Sequence, residues 1–159
     1  NLLDFGCVRV FPPRFVAGVV RLYRALLSDD RQEQRAAYES WGFANLSDDL
    51  IDVLNVWARF IYGPLLDDRV RTVADGIAPG DYGRAEAFKV RQALKDKGPI
   101  TIPREFVFMD RAAIGLGSAF LHLGAALNWR ALFEASLQGF DETVLADRQL
   151  AALKAADLI

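Results

Sequence analysis

The sequence predicts an all-α fold with one short strand and turn at its N-terminus. Three observations predict it. Apolar residues recur at spacings of three and four along nearly the whole chain. Pro, Gly and Ser-Asp or Asn punctuation falls between these periodic stretches, where helices start and stop. The 159 residues are 52% hydrophobic, which is enough for a sizeable core and too apolar for intrinsic disorder. A single domain over 1–159 is expected, built from roughly seven to eight helices.

Residues 1–10 break the helical period. Leu2, Leu3, Val8 and Val10 flank Asp4-Phe5-Gly6 and suit a strand, a turn and an extended segment. Pro12-Pro13 opens the first helix, because Pro suits the first helical turn. Phe15, Val16, Val19, Val20, Tyr23, Leu26 and Leu27 form its apolar face. Ser28-Asp29-Asp30 closes that helix and starts the next, with Asp29 and Gln32 spaced as a capping box. A short polar helix over 31–41 ends near Gly42. Ser47-Asp48-Asp49 supplies a cap and two acids for the positive end of a helix dipole. Leu50, Val53, Leu54, Trp57, Phe60 and Ile61 are its predicted buried stripe, and Gly63-Pro64 stops it. A short helix is expected over 65–75, with Asp67 and Asp68 capping it rather than forming a metal pair.

Gly76, Pro79, Gly80 and Gly83 mark a loop. Residues 84–97 read as a charged helix with a solvated face, closed by Gly98-Pro99. Pro103 opens the longest helix, which is expected to run to residue 126. Asn128 caps a helix over 129–138, Gly139 breaks it, and Asp141 starts a last Ala-rich helix that reaches the end.

Composition excludes several classes. Net charge is −2 and the pI is about 5.4, so no basic field invites nucleic acid. The single Cys cannot close an intrachain disulfide or build a metal cluster. No apolar run approaches the ~20 residues that span a bilayer. Asp4 and Arg9 interrupt the apolar stretch at residues 1–10, so that stretch is not expected to be a signal peptide. A start without Met and inside a motif predicts a piece of a longer chain.

Asp4 is the first candidate for chemistry. An apolar run feeding Asp-Phe-Gly is the pattern of a kinase metal site, where the bare carboxylate holds Mg²⁺ on the ATP phosphates. Phe5 packs beneath the Asp in that pattern and Gly6 supplies the turn. The tripeptide alone fits equally an acid that ends a strand before a Gly turn.

The second constellation runs from Phe106 to Ser118. Its small residues are Ala112, Ala113, Gly115, Gly117 and Ser118. Gly inside a helix costs about 1 kcal/mol relative to Ala, so two of them predict a closely approaching backbone or helix. No strand precedes them and no third Gly follows, so they form no dinucleotide fingerprint. Asp110 and Arg111 are adjacent, point apart on a helix, and are each expected to pair with another segment. His122, the one histidine, reads as a hydrogen-bonded core or boundary residue, and no Ser/His/Asp triad can be argued from it. Cys7 reads as a small packed hydrophobe. Trp41 and Trp129 sit at helix ends and read either as core or as partly exposed anchors.

Two separated segments point to one family. Leu2-Leu3-Asp4-Phe5-Gly6-Cys7-Val8-Arg9 resembles the metal-binding motif of the UbiB/AarF/ADCK family of atypical kinase-like proteins. The stretch from Pro103 to Phe133 resembles that family's C-terminal helical region. It contains Phe108-Met109-Asp110-Arg111-Ala112-Ala113-Ile114-Gly115-Leu116-Gly117-Ser118 and Leu123-Gly124-Ala125-Ala126-Leu127-Asn128-Trp129. The resemblance covers the whole chain, most closely at its two ends and loosely over 28–98.

The resemblance implies the helical C-lobe portion of a protein-kinase-like fold. It implies an intact parent that binds ATP with Mg²⁺ and supports ubiquinone and related isoprenoid-lipid biosynthesis as a kinase or ATPase. Asp4 carries over as the metal ligand, with Phe5 and Gly6 as its partners in cofactor binding. No catalytic residue carries over, because the family's nucleotide loop and catalytic loop belong upstream of Asn1. The portion alone is therefore expected to be inactive. The family's lipid link implies a cytoplasmic or membrane-peripheral setting, with lipid-biosynthesis proteins or a membrane as partners. Missing N-lobe contacts predict self-association. The alternative is a helical module that docks a protein or membrane surface and carries Asp-Phe-Gly by coincidence. An ordinary protein-kinase C-lobe is disfavoured, because no Ala-Pro-Glu follows at activation-segment distance.

Overall fold

A computed structural model of the chain describes residues 9–76, Phe88, Gln92 and 103–159. The expected N-terminal strand, with Asp4, Phe5, Gly6 and Cys7, lies outside the described residues. So do the loop at 79–83 and the helix over 84–97, apart from the helical Phe88 and Gln92. The described residues form an all-α fold of six α-helices and one two-stranded ladder.

Helix α1 (Pro13–Leu27) starts on Pro13 as expected. Helix α2 (Arg31–Ser40) starts one residue later than the capping box predicted. Asp30, not Asp29, accepts the free N–H groups of Gln32 and Glu33 at 3.0 and 3.1 Å. Asp29 instead turns the corner with φ 52° and holds Arg59 at 2.8 Å. Helix α3 (Asp48–Tyr62) has Ser47 as its cap, accepting from the Leu50 N–H at 3.2 Å.

The buried line of α3 differs from the predicted stripe. It runs through Ile51, Asn55, Ala58 and Tyr62, with Val53 beside it, while Trp57, Phe60 and Ile61 are half-buried. The apolar spacing predicted a face turned away from this line because Asn55 is polar. Asn55 is buried because its hydrogen bonds are met, as described below.

The helix expected over 65–75 does not form. A 3₁₀ turn (Gly63–Leu66) follows α3 directly, then strand β1 (Val70–Arg71) and a turn over 73–76. Asp67 and Asp68 cap no helix. Asp67 accepts from Arg69 at 2.7 Å and Arg71 at 3.0 Å, and Asp75 accepts from Arg69 as well. Asp68 accepts from the Asn128 side chain at 2.9 Å. The i,i+4 charge spacing that suits a helix is satisfied here by a folded-back extended segment.

Helix α4 (Arg104–His122) begins after Pro103 and ends four residues before the predicted limit. The chain turns at Gly124 and enters β2 (Leu127–Asn128), which pairs antiparallel with β1, Val70 opposite Asn128. Asn128 caps helix α5 (Trp129–Leu137) through the Ala131 N–H at 2.9 Å. Asp141 caps helix α6 (Glu142–Ala155) through the Val144 N–H at 2.9 Å. Both starts match the sequence reading.

The core sits between α1, α2 and α3, around Phe15, Leu22, Tyr23, Leu26, Tyr38, Trp41, Ile51 and Tyr62. Trp41 is 8% exposed, so it is core rather than a partly exposed anchor. Its indole N–H donates to the Phe15 carbonyl at 3.1 Å and lies over Gly18. A Cβ at Gly18 would stand 2.4 Å from Trp41 Nε1, so this helical position has no room for a side chain. Trp129 is also 8% exposed and donates to the Arg71 carbonyl at 2.8 Å, which ties α5 to β1. Helix α6 lies along α1, and α5 lies on the 3₁₀ turn.

Candidate functional site

The cofactor and metal residues expected from sequence, Asp4, Phe5 and Gly6, lie outside the described residues. The chain enters view at Arg9, five positions after Asp4. Arg9 reaches the first turns of α4. Its guanidinium is 4.0 Å from the Glu105 carboxylate and 5.0 Å from the centre of the Phe108 ring, a cation–π distance. Phe11 stacks on Phe15 at 5.4 Å, and its carbonyl accepts from the Gln149 amide at 3.0 Å. The segment after Asp-Phe-Gly is thus held by α1, α4 and α6 together. Phe106 closes this junction from α4, edge-on to Trp41 at 4.7 Å and to Phe15 at 5.2 Å.

Helix α4 presents two different faces. Phe106, Met109, Asp110, Ala113, Gly117, Phe120 and Leu121 are half-buried. Val107, Phe108, Ile114, Leu116 and Leu123 are exposed. The close approach predicted at Gly115 and Gly117 is made by none of the described residues. Among the described residues, nothing lies within 4 Å of a Cβ at either. The small residues follow the amphipathic register of α4, but no described helix uses the space they leave.

Asp110 does pair with another segment. The Trp57 indole N–H donates to its carboxylate at 3.2 Å. Burial pushes the carboxyl above its ordinary range, and the Trp57 hydrogen bond opposes that push. Arg111 is exposed. His122 is exposed rather than core, with Nδ1 2.7 Å from the Ser118 carbonyl one turn back. This bond fits a helix-terminal histidine that satisfies a carbonyl of its own last turns, and it assigns the ring no reacting partner. Tyr23 is fully buried and donates to Glu134 at 2.7 Å. Burial first, and Glu134 second, push its hydroxyl up to about 12. This bond fastens α5 to α1.

Sequence reasoning missed a polar cleft between α2 and α3. Asp29, Arg31, Gln34, Asp52, Asn55, Val56 and Arg59 line about 350 Å³. Its floor is a chain of buried groups. Tyr38 OH donates to Asn55 Oδ1 at 2.9 Å, Asn55 Nδ2 donates to Gln34 Oε1 at 2.8 Å, and Gln34 Nε2 donates to the Ala25 carbonyl at 3.3 Å. The available signal was a polar residue on an apolar line, since Asn55 sits between Ile51 and Ala58 on one helix face.

Among the described residues, no group of three or more His, Cys, Asp or Glu side chains could hold a metal ion. No described helix is long and apolar enough to cross a membrane. Comparison of the chain with protein-family models, with curated proteins and with solved structures found no match.

Proposed function

We propose that the chain is the helical C-lobe portion of a UbiB-type atypical kinase or ATPase. In this reading Asp4 contributes to the Mg²⁺–ATP site of the intact protein, which supports ubiquinone or related isoprenoid-lipid synthesis. A carboxylate suits the ion, since Mg²⁺ takes hard oxygen ligands and bridges phosphate oxygens. The observation that carries the reading is the Arg9 junction. The residues following Asp-Phe-Gly meet the opening turns of the helix that holds Phe108-Met109-Asp110-Arg111, the two segments on which the family resemblance rests. The all-α content is in keeping with it.

One carboxylate cannot hold Mg·ATP in line by itself, because phosphoryl transfer needs several groups positioned at once. The 159 residues alone are therefore inactive in this reading. Calorimetry of Mg²⁺-dependent ATP binding tests it, with the 159 residues compared with the complete gene product. Binding by the complete product alone, weakened at least tenfold by Asp4→Asn, is the expected result. No binding by either, or binding indifferent to Asp4→Asn, contradicts it.

A second reading is favoured by one observation. Apolar side chains on both flanks of α4, Val107 and Ile114 on one and Leu116 and Leu123 on the other, are exposed among the described residues, as a docking module requires. In that reading Asp-Phe-Gly is coincidental and the chain binds a protein or membrane surface. The same exposed side chains support self-association, which a rise in mass with concentration by light scattering would register.

A further inference from the structure

We infer that the cleft between α2 and α3 binds a phosphate group, free or as a small monoester, between Arg31 and Arg59. The inference is independent of the kinase-like reading. Two ion pairs ring the cleft, Arg31 with Asp52 at 2.7 Å and Arg59 with Asp29 at 2.8 Å. The two pairs are layered in the same sense. The Asp52 and Asp29 side chains are 69% and 81% exposed, whereas those of Arg31 and Arg59 are 36% and 48% exposed. In both pairs the carboxylate side chain is the more exposed member, where water screens it most, while the arginine stems pack along the cleft wall.

Both cations line the cleft together with the carboxamides of Gln34 and Asn55. Burial pushes the Tyr38 hydroxyl up and Arg31 and Arg59 each oppose that push, in keeping with two cations on this side of the buried chain. That chain runs from Tyr38 through Asn55 to Gln34, and the two carboxamides line the floor. Each carboxamide nitrogen carries two protons and spends one on the bonds described. The cleft therefore sets two guanidiniums and two carboxamides, all hydrogen-bond donors suited to an oxyanion, beside the two carboxylates of the ion pairs. Among the described residues, Arg59 gives one of its five donors to Asp29, and Arg31 gives two, to Asp52 and the Asp48 carbonyl. Donors remain for a ligand without breaking either pair. A volume of about 350 Å³ exceeds a bare phosphate ion and leaves room beside Val56 for the organic part of an ester.

The test is calorimetric titration of the 159-residue chain with inorganic phosphate and with glycerol phosphate, at constant ionic strength set by chloride. Saturable binding of either is expected, and the tighter of the two identifies the source. Arg31→Gln and Arg59→Gln should each weaken it about tenfold or more. Asp52→Asn and Asp29→Asn should each tighten it several-fold, by releasing a guanidinium; Asn tolerates the left-handed backbone at 29. Unchanged far-ultraviolet dichroism certifies the fold of each variant. No saturable binding of either probe overturns the inference. So does binding that the two arginine variants leave unaltered, or that the two asparagine variants fail to strengthen.

Discussion

The α1–α3 half and the α4–α6 half of the chain are built differently. In the first, buried side chains meet from three helices, and among the described residues every buried side-chain nitrogen or oxygen is paired. In the second, Trp129 is the one buried residue among those described, and the helices attach through scattered anchors, among them Phe106, Met109, Asp110, Phe133, Glu134, Leu137 and Gln149. Helices α4 and α6 each lack a single buried residue. Well-formed caps at Asn128 and Asp141 start α5 and α6, but caps define where a helix begins and do not supply its core. The first half carries the stability, and the second half carries the surface.

Changes that probe this contrast should fall in a clear order. Gly18→Val should be the most damaging, because its side chain enters the space of Trp41 and strains the indole bond to Phe15. A loss of about 2–3 kcal/mol in denaturant unfolding is expected. Tyr38→Phe should follow at ~2 kcal/mol, since it strips the donor from the buried Asn55 oxygen. Gly115→Ala lies at the opposite pole. Nothing described stands near its Cβ, and removing a helix-interior glycine should stabilise by about 1 kcal/mol. A destabilising Gly115→Ala would mean that α4 is covered after all.

Asp110→Asn gives the smallest and most pH-dependent effect. Its folded-state carboxyl is raised above the ordinary value by burial, so the protonated form is the one the fold prefers. The contribution of Asp110 is therefore complete in acid, below its unfolded value, and is lost as the pH rises through the folded one. Asp110→Asn keeps an acceptor for the Trp57 indole and should melt higher than the parent at pH 7, the difference closing toward pH 3. A variant that melts lower at pH 7 would show that the charged form is held more firmly than its burial suggests.

Local signals were legible in the sequence. Pro13, Ser47, Asn128 and Asp141 mark true helix starts, because a cap needs only its own next three residues. Pairings across the fold were not legible. Gly18 reads as an ordinary helix position until Trp41 arrives from 23 residues away. Asn55 reads as a flaw in an apolar stripe until Gln34 and Tyr38 complete it. The segment after Leu66 carries helix-like charge spacing, yet Arg69 and Arg71 use it to fold an extended strand onto β2. The polar cleft is the product of these long-range pairings. The two segments on which the proposed family reading rests, around Asp4 and along α4, flank the best-packed part of the described residues in the sequence.

Native-state hydrogen exchange of the 159-residue chain measures the two halves side by side. The account predicts that amides of α1, α2 and α3 exchange only on global unfolding, while those of α4 and α6 open locally at far lower free energy. Uniform protection from α1 through α6 would contradict it, and would mean that the C-terminal helices belong to the same cooperative core.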